Sequence, residues 1–203
     1  NAAAPDLVLI AGDFIYGHDA GSARRIGLPM VAPLRHLRAP LGVVAVPGNH
    51  DYWTGLAAVR AELAAANITL LENEAVARGP LAIGGIADEF TGHHDIGKTF
   101  AALDRLRGAR VLLSHSPELA PDLPEHATVL LAGHTHCGQQ RIPLVGPIVD
   151  ASRYGERYRC GIRREGARTV VTTGGLGTSG QPLRYFAPPD FWIVTFGPQM
   201  TTD

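Results

Sequence analysis

Val46-Pro47-Gly48-Asn49-His50-Asp51 sets an amide, an imidazole and a carboxylate in a row directly behind the apolar run Gly42-Val43-Val44-Ala45-Val46. A packed core has no use for three such side chains, and Pro47-Gly48 ends the run as a strand. Three more polar positions stand in the same relation to apolar runs. They are Asp13 behind Leu7–Ala11, His115 behind Val111–Leu113, and His134 with His136 behind Val129–Ala132. Short apolar runs bounded by Gly, Pro and Asp are the pattern of strands covered on both faces. In an open parallel sheet, ligands gather beyond the carboxyl ends of the strands, so residues distant in sequence meet at one edge. The pattern predicts a scaffold for one metal site.

The chain has 203 residues, 45% hydrophobic and 18% charged, which suits a single globular domain over residues 1–203 with a sizeable core. A formal net charge of -1 gives no basic footprint for nucleic acid. Cys137 and Cys160 are the two cysteines and neither belongs to a CxxC pair, so neither a disulfide framework nor a zinc knuckle is indicated. One bridge between them stays open. No apolar run approaches the roughly 20 residues of a membrane helix. The chain opens on Asn1 and runs into Pro5 and the first strand, which reads as a fragment or a processed chain with a strand and helix of the domain upstream.

Further along, a short helix is expected at Pro29–Arg38 and a helix capped by Thr54 running through Ala66, with Leu56, Val59 and Leu63 on one face. Strands are expected at Ile68–Leu71 and Leu81–Ile86, a helix from Lys98 to Leu106, and strands at Val111–Leu113 and Thr128–Leu131. Beyond Gly138 the texture turns to hairpin pieces. These are Gln139–Ile142, Arg157–Arg163 turning at Glu165-Gly166 into Arg168–Thr173, and a last strand Phe191–Phe196. An αβαβ first half with an antiparallel second half predicts an α/β fold of mixed sheets flanked by helices.

Carboxylate and amide oxygens with imidazole nitrogens, and no committed thiolate, suit manganese, iron or zinc better than calcium or copper(I). Asp13 carries two oxygens and is able to bridge two ions. Asn49 adds a neutral oxygen, and His115, His134 and His136 add nitrogens. Two ions about 3.5–4 Å apart activate a water and clamp the oxygens of an in-line displacement at phosphorus.

Gly12-Asp13, Gly48-Asn49-His50-Asp51, Ser114-His115 and Gly133-His134-Thr135-His136 resemble, in order and spacing, the motifs of the calcineurin-like metallophosphoesterases. Gly175–Arg184, with Ala187-Pro188-Pro189 behind it, is similar to the small bacterial phosphodiesterase branch of that family, which is often membrane-associated. The resemblance implies two mixed β-sheets flanked by helices in a four-layer αββα arrangement. It also implies that Asp13 bridges, that Asn49, His115 and His134 hold one metal, and that His136 faces the other. His50 would contact the substrate phosphate and assist the leaving oxygen, with Asp51 orienting its ring. The family's first Asp-x-His motif, on a strand before that of Asp13, is absent, so one metal position is complete and the second half built. The resemblance implies hydrolysis of phosphodiesters ahead of monoesters, on a small-molecule or lipid-linked phosphate, in the cytoplasm or peripherally at a membrane. The absent motif leaves a rival reading, a degenerate, non-catalytic metal-binding or interaction domain.

Other residues draw plainer readings. His18, His36 and His126 read as surface or satisfied core histidines, and His93-His94-Asp95 as an exposed loop. Cys137 reads as packing. Gly175-x-Gly177-x-x-Gly180 lacks the following helix and the acidic residue of a dinucleotide fingerprint, and reads as a loop close to the metal edge. Arg184 neutralises a phosphate or faces solvent, and both readings stand.

Overall fold

Side chains alternate across a strand, so a strand that is apolar throughout must feed two cores. Val43 and Ala45 face one core with Phe14, Ile15, Val59, Leu63 and Ile68, while Val44 and Val46 face another with Leu71, Ile83, Val111 and Leu113. The computed structural model describes residues 2–23 and 32–197. Strands β1 (Val8–Ile10), β2 (Val43–Ala45) and β3 (Ile68–Leu70) form a parallel three-stranded sheet in that order. Next come β4 (Glu74–Arg78), β5 (Leu81–Gly85), β6 (Ala109–Leu113), β7 (Val129–Ala132), a small hairpin of β8 (Arg141–Ile142) and β9 (Gly146–Pro147), β10 (Gly161–Glu165) and β11 (Arg168–Thr172). The second sheet runs β10-β11-β7-β6-β5-β4, parallel in the middle and antiparallel at both edges.

The two sheets face each other across the core of Val44, Val46, Ile83, Val111 and Leu113. Helices cover the outer faces. Among the described residues these are α1 (Asn49–Thr54), α2 (Leu56–Ala65) and α3 (Ile96–Leu103). Val59 and Leu63 of α2 cover the first sheet, and Leu103 of α3 covers the second with Leu112, Leu130 and Val170. The layering is the expected αββα arrangement, with two differences. The first sheet is wholly parallel among the described residues rather than mixed, and the β8–β9 hairpin stands as a small third sheet.

Several local expectations are corrected. Thr54 does not cap a long helix. It ends α1, its hydroxyl donating to the His50 carbonyl, and Gly55 at φ 118° breaks the path before α2, a left-handed turn that a Cβ would strain. The helix expected at Pro29–Arg38 lies partly outside the described residues, and Ala32–His36 within it form a 3-10 helix. Strand β4 carries little signal in the sequence, since Glu74-Ala75-Val76-Ala77-Arg78 is half exposed and alanine-rich, with weak strand propensity. It forms because Gly79-Pro80 folds it back onto β5. Phe191–Phe196 is not a strand. Its apolar side chains are exposed, and no hydrogen-bonded neighbour is assigned to it among the described residues. No helix among them is long and apolar enough to cross a membrane.

Cys137 and Cys160 are joined in a disulfide across a sequence separation of 23, which replaces the reading of Cys137 as packing alone. The bond ties the loop behind β7 to the residue before β10, and the Thr135 hydroxyl donating to the Arg159 carbonyl ties the same two segments. Closing a loop of this size removes about 3 kcal/mol of chain entropy from the unfolded state in the loop-closure model. Urea unfolding with a dithiol reductant present is expected to show stability lower by about that amount. An unchanged midpoint would contradict it.

Candidate metal centre

The carboxyl ends of four strands from both sheets meet at one rim. Asp13 follows β1, Asn49 follows β2, His115 follows β6 and His134 follows β7. Asp13 at φ 56° and His134 at φ 68° turn sharply off their strands in the left-handed region, a strained conformation that recurs at functional sites. Two glycines allow the close approach. A Cβ on Gly12 would stand 2.6 Å from the Gly48 nitrogen, and one on Gly48 would stand 2.3 Å from Asp13 Oδ1 and 2.8 Å from His115 Nδ1.

His115 Nε2 is the centre of the cluster. Asp13 Oδ2 lies 3.2 Å from it, Asn49 Oδ1 3.1 Å and His134 Nδ1 3.1 Å. His115 Nδ1 must carry its hydrogen, because its partner is the Ala11 carbonyl oxygen, and this orients the ring with Nε2 toward the cluster. One ring nitrogen holds at most one proton and cannot satisfy three electron-rich neighbours at once. A cation between them does. Asp13, His115 and His134 each offer an atom within 4.8 Å of the others, and His134 Nε2 is buried with no hydrogen-bond partner among the described residues. Oxygen and nitrogen donors of this kind fit a divalent transition ion.

Asp51 does something other than the expected orientation of the His50 ring. Its buried carboxylate accepts the backbone N–H groups of Asp13 and Gly48 on Oδ2 and of Phe14 on Oδ1, at 2.8–2.9 Å. It thereby clamps the end of β1 to the start of α1. His50 is positioned by its own surroundings. Its Nδ1–H donates to the Gly17 carbonyl at 2.7 Å, its backbone N–H donates to Asp13 Oδ1 at 3.0 Å, and its ring packs on Tyr16, His18 and Trp53.

His136 is not in the group of mutually close ligand atoms. It sits at φ 51° beside Arg184, whose guanidinium lies 3.5 Å from His136 Nδ1. Both readings of Arg184 give way to a structural one. It donates to the carbonyls of His136, Gly174, Gly175, Gly177 and Ala187, and so staples the glycine-rich loop to the rim. Asp95 caps α3 through the Lys98 N–H, and His93 stacks on Tyr52 with centroids 3.9 Å apart. His18, expected at the surface or in a core, lies against His50 and Trp53 at the rim. Tyr16, Trp53 and Phe90 also reach the rim unannounced by any motif. For Tyr16 and Trp53 the signal in the sequence is nearness to Asp13 and His50, and for Phe90 there is none.

Charge is unevenly held. Burial pushes Asp13 up, but the adjacent His115 outweighs it and holds the carboxyl at about 2. Burial pulls His115 down, and Asp13 outweighs that in turn, lifting it to about 9. His134 is held neutral, at about 3, by burial and by the charge on His115. His136 is lowered to about 4 by burial and by Arg184. Burial, then the Asp13 charge, raises Asp51 to about 7 against its backbone donors.

Two outcomes follow from this arrangement. Asp51→Ala leaves buried N–H groups unpaired, at about 1–3 kcal/mol each, so it should lower stability by several kcal/mol in urea unfolding of the metal-free protein. A ring-orienting carboxylate would leave stability nearly unchanged. Ligation needs neutral His115, and that ring stays protonated up to about pH 9, so each ion bound should displace about one proton. Apparent manganese affinity, followed calorimetrically in buffers of different ionisation enthalpy, should rise by about tenfold per pH unit from 7 toward 9. A flat profile with no proton release would contradict the assignment of His115.

Comparison with known proteins agrees with the geometry. The family model for calcineurin-like phosphoesterases matches residues 1–138, which contain all the rim residues. The uncharacterized metallophosphoesterase YkuE of Bacillus subtilis is 32% identical over 203 residues, covering 96% of this chain and 69% of that protein. An uncharacterized metallophosphoesterase of Helicobacter pylori is 30% identical over 202 residues, and the chain spans 52% of its length. The phosphodiesterase YaeI of Escherichia coli is 30% identical over 185 residues, covering 86% of this chain and 64% of that protein. No solved structure matches. The chain belongs to the calcineurin-like phosphoesterases, a family of metal-dependent hydrolases of phosphoester bonds.

Proposed function

We propose that this chain hydrolyses phosphodiesters in preference to monoesters, using manganese, iron or zinc held by Asp13, Asn49, His115 and His134. The observation that carries the reading is the crowding of three electron-rich atoms on His115 Nε2, which a divalent cation among them would satisfy together. The preference for diesters is supported by the likeness to the Escherichia coli phosphodiesterase. When bound, a divalent ion supplies Lewis-acid polarisation of the phosphoryl group and a nucleophile from water near neutral pH.

The chain's own residues do the rest. The Ala11 carbonyl fixes the tautomer of His115, and the Asp51 clamp fixes the turn that carries Asn49 and His50. With Nδ1–H committed to the Gly17 carbonyl, His50 has Nε2 to take up a proton and deliver it to the leaving oxygen. His136 is proposed to face a second ion. The Cys137–Cys160 disulfide favours a compartment in which disulfides persist, in place of the cytoplasm.

With added manganese, the protein should turn over bis(p-nitrophenyl) phosphate faster than p-nitrophenyl phosphate. His50→Ala should lower kcat by about 10²–10⁴-fold while leaving manganese uptake intact. Metal uptake without turnover of either ester would favour the non-catalytic reading instead.

A further inference from the structure

The rings at the rim form a continuous arc that the fold does not use. Tyr16 packs on His50 at 5.0 Å and on His18 at 5.7 Å between centroids. His18 stacks on Trp53 at 5.0 Å, Trp53 meets Phe90 edge-on at 5.9 Å, and Phe90 tilts onto His134 at 5.2 Å. The arc ends on His134 and passes His50, so it borders the cluster from the rim's metal side to its proton-transfer side. Apart from His134 behind β7, its rings come from three separate segments. Tyr16 and His18 lie in the turn behind β1, His50 and Trp53 lie on α1, and Phe90 lies in the loop behind β5.

None of Tyr16, His18, Trp53 or Phe90 belongs to a hydrophobic core. Phe90 is 57% exposed and Tyr16 41% exposed. Leaving such rings in water forgoes burial free energy that a fold ordinarily takes up. Aromatic rings pack edge-to-face or offset, and an arc of tilted, edge-on and stacked pairs presents faces and edges to one more flat ring. Flat π-faces stack on bases and aryl groups alike, and this tolerance is the usual role of aromatic platforms beside phosphate sites.

We propose that the arc from Tyr16 to Phe90 is the binding platform for the organic group of the phosphoester, and that this group is a planar aromatic ring, either an aryl or a nucleobase. The proposal rests on the phosphoester reading of the same rim and adds the substrate class to it. Trp53 and Phe90 are its specificity-determining residues.

Calorimetric titration of the manganese-loaded protein with two matched pairs tests this. One pair is phenylphosphonate and methylphosphonate, the other adenosine 5′-phosphate and ribose 5-phosphate. In at least one pair the ligand with the ring should bind about tenfold more tightly. Phe90→Ala and, separately, Trp53→Leu should shrink that gap to about threefold or less, with the ring-free ligand changed by less than about twofold. A gap in the first pair alone identifies an aryl group, and in the second alone a nucleobase. Equal affinities within both pairs, or a gap that survives both substitutions, would overturn the platform and leave the phosphoesterase reading standing. Failure of all four ligands to bind while bis(p-nitrophenyl) phosphate is still turned over would overturn the platform alone, and failure of both binding and turnover with manganese held would overturn both.

Discussion

The buried carboxylate of Asp51 is the constraint on which the rim depends. By accepting the amides of Gly48, Asp13 and Phe14 it ties the end of β1 to the entry of α1. Those two segments carry Asp13, Asn49 and His50, and their closeness is possible only because Gly12 and Gly48 have no Cβ. The left-handed backbone at Asp13 is held by this clamp, since an isolated aspartate would leave that conformation at little cost. The second sheet brings His115 and His134 to the same place, with the Gly133 amide donating to the His115 carbonyl at 2.8 Å. The ligand set is thus fixed by backbone geometry, and its side chains need little freedom to meet.

That rigidity stores an electrostatic conflict. Two carboxylates and the imidazoles of His115 and His134 share a volume almost closed to water. In the absence of an ion the conflict is settled by a charged Asp13–His115 pair, a neutral His134 and an Asp51 raised to about 7. With a divalent cation held by these residues, His115 would be neutral and Asp51 ionised. Affinity and proton balance are therefore one property of the cluster, as expected where neighbouring groups titrate as a unit.

The sequence disclosed what strand alternation and punctuation can disclose. The apolar runs behind Asp13, Asn49, His115 and His134 marked strand ends, and a four-layer arrangement follows once those strands need cover on both faces. Contacts that depend on tertiary approach were not legible. Asp51 stands next to His50 in sequence, which suggested a side-chain pair, but on α1 its carboxylate turns to backbone amides 37 and 38 residues away. Arg184 had a phosphate-binding look that its five carbonyl acceptors remove. The aromatic and β-branched run Phe191–Phe196 suggested a strand, yet a strand exists only where a neighbour accepts it. The aromatic arc was hidden for the same reason, its members being scattered through three segments that converge only in the fold.

The central claim is that Asp13, Asn49, His115 and His134 surround one cation position. Anomalous diffraction from a crystal grown with manganese tests it most directly. The account predicts a manganese peak in contact with Asp13, Asn49 Oδ1, His115 Nε2 and a ring nitrogen of His134. A peak elsewhere, or these four groups closed on one another around no density at full manganese loading, would contradict it.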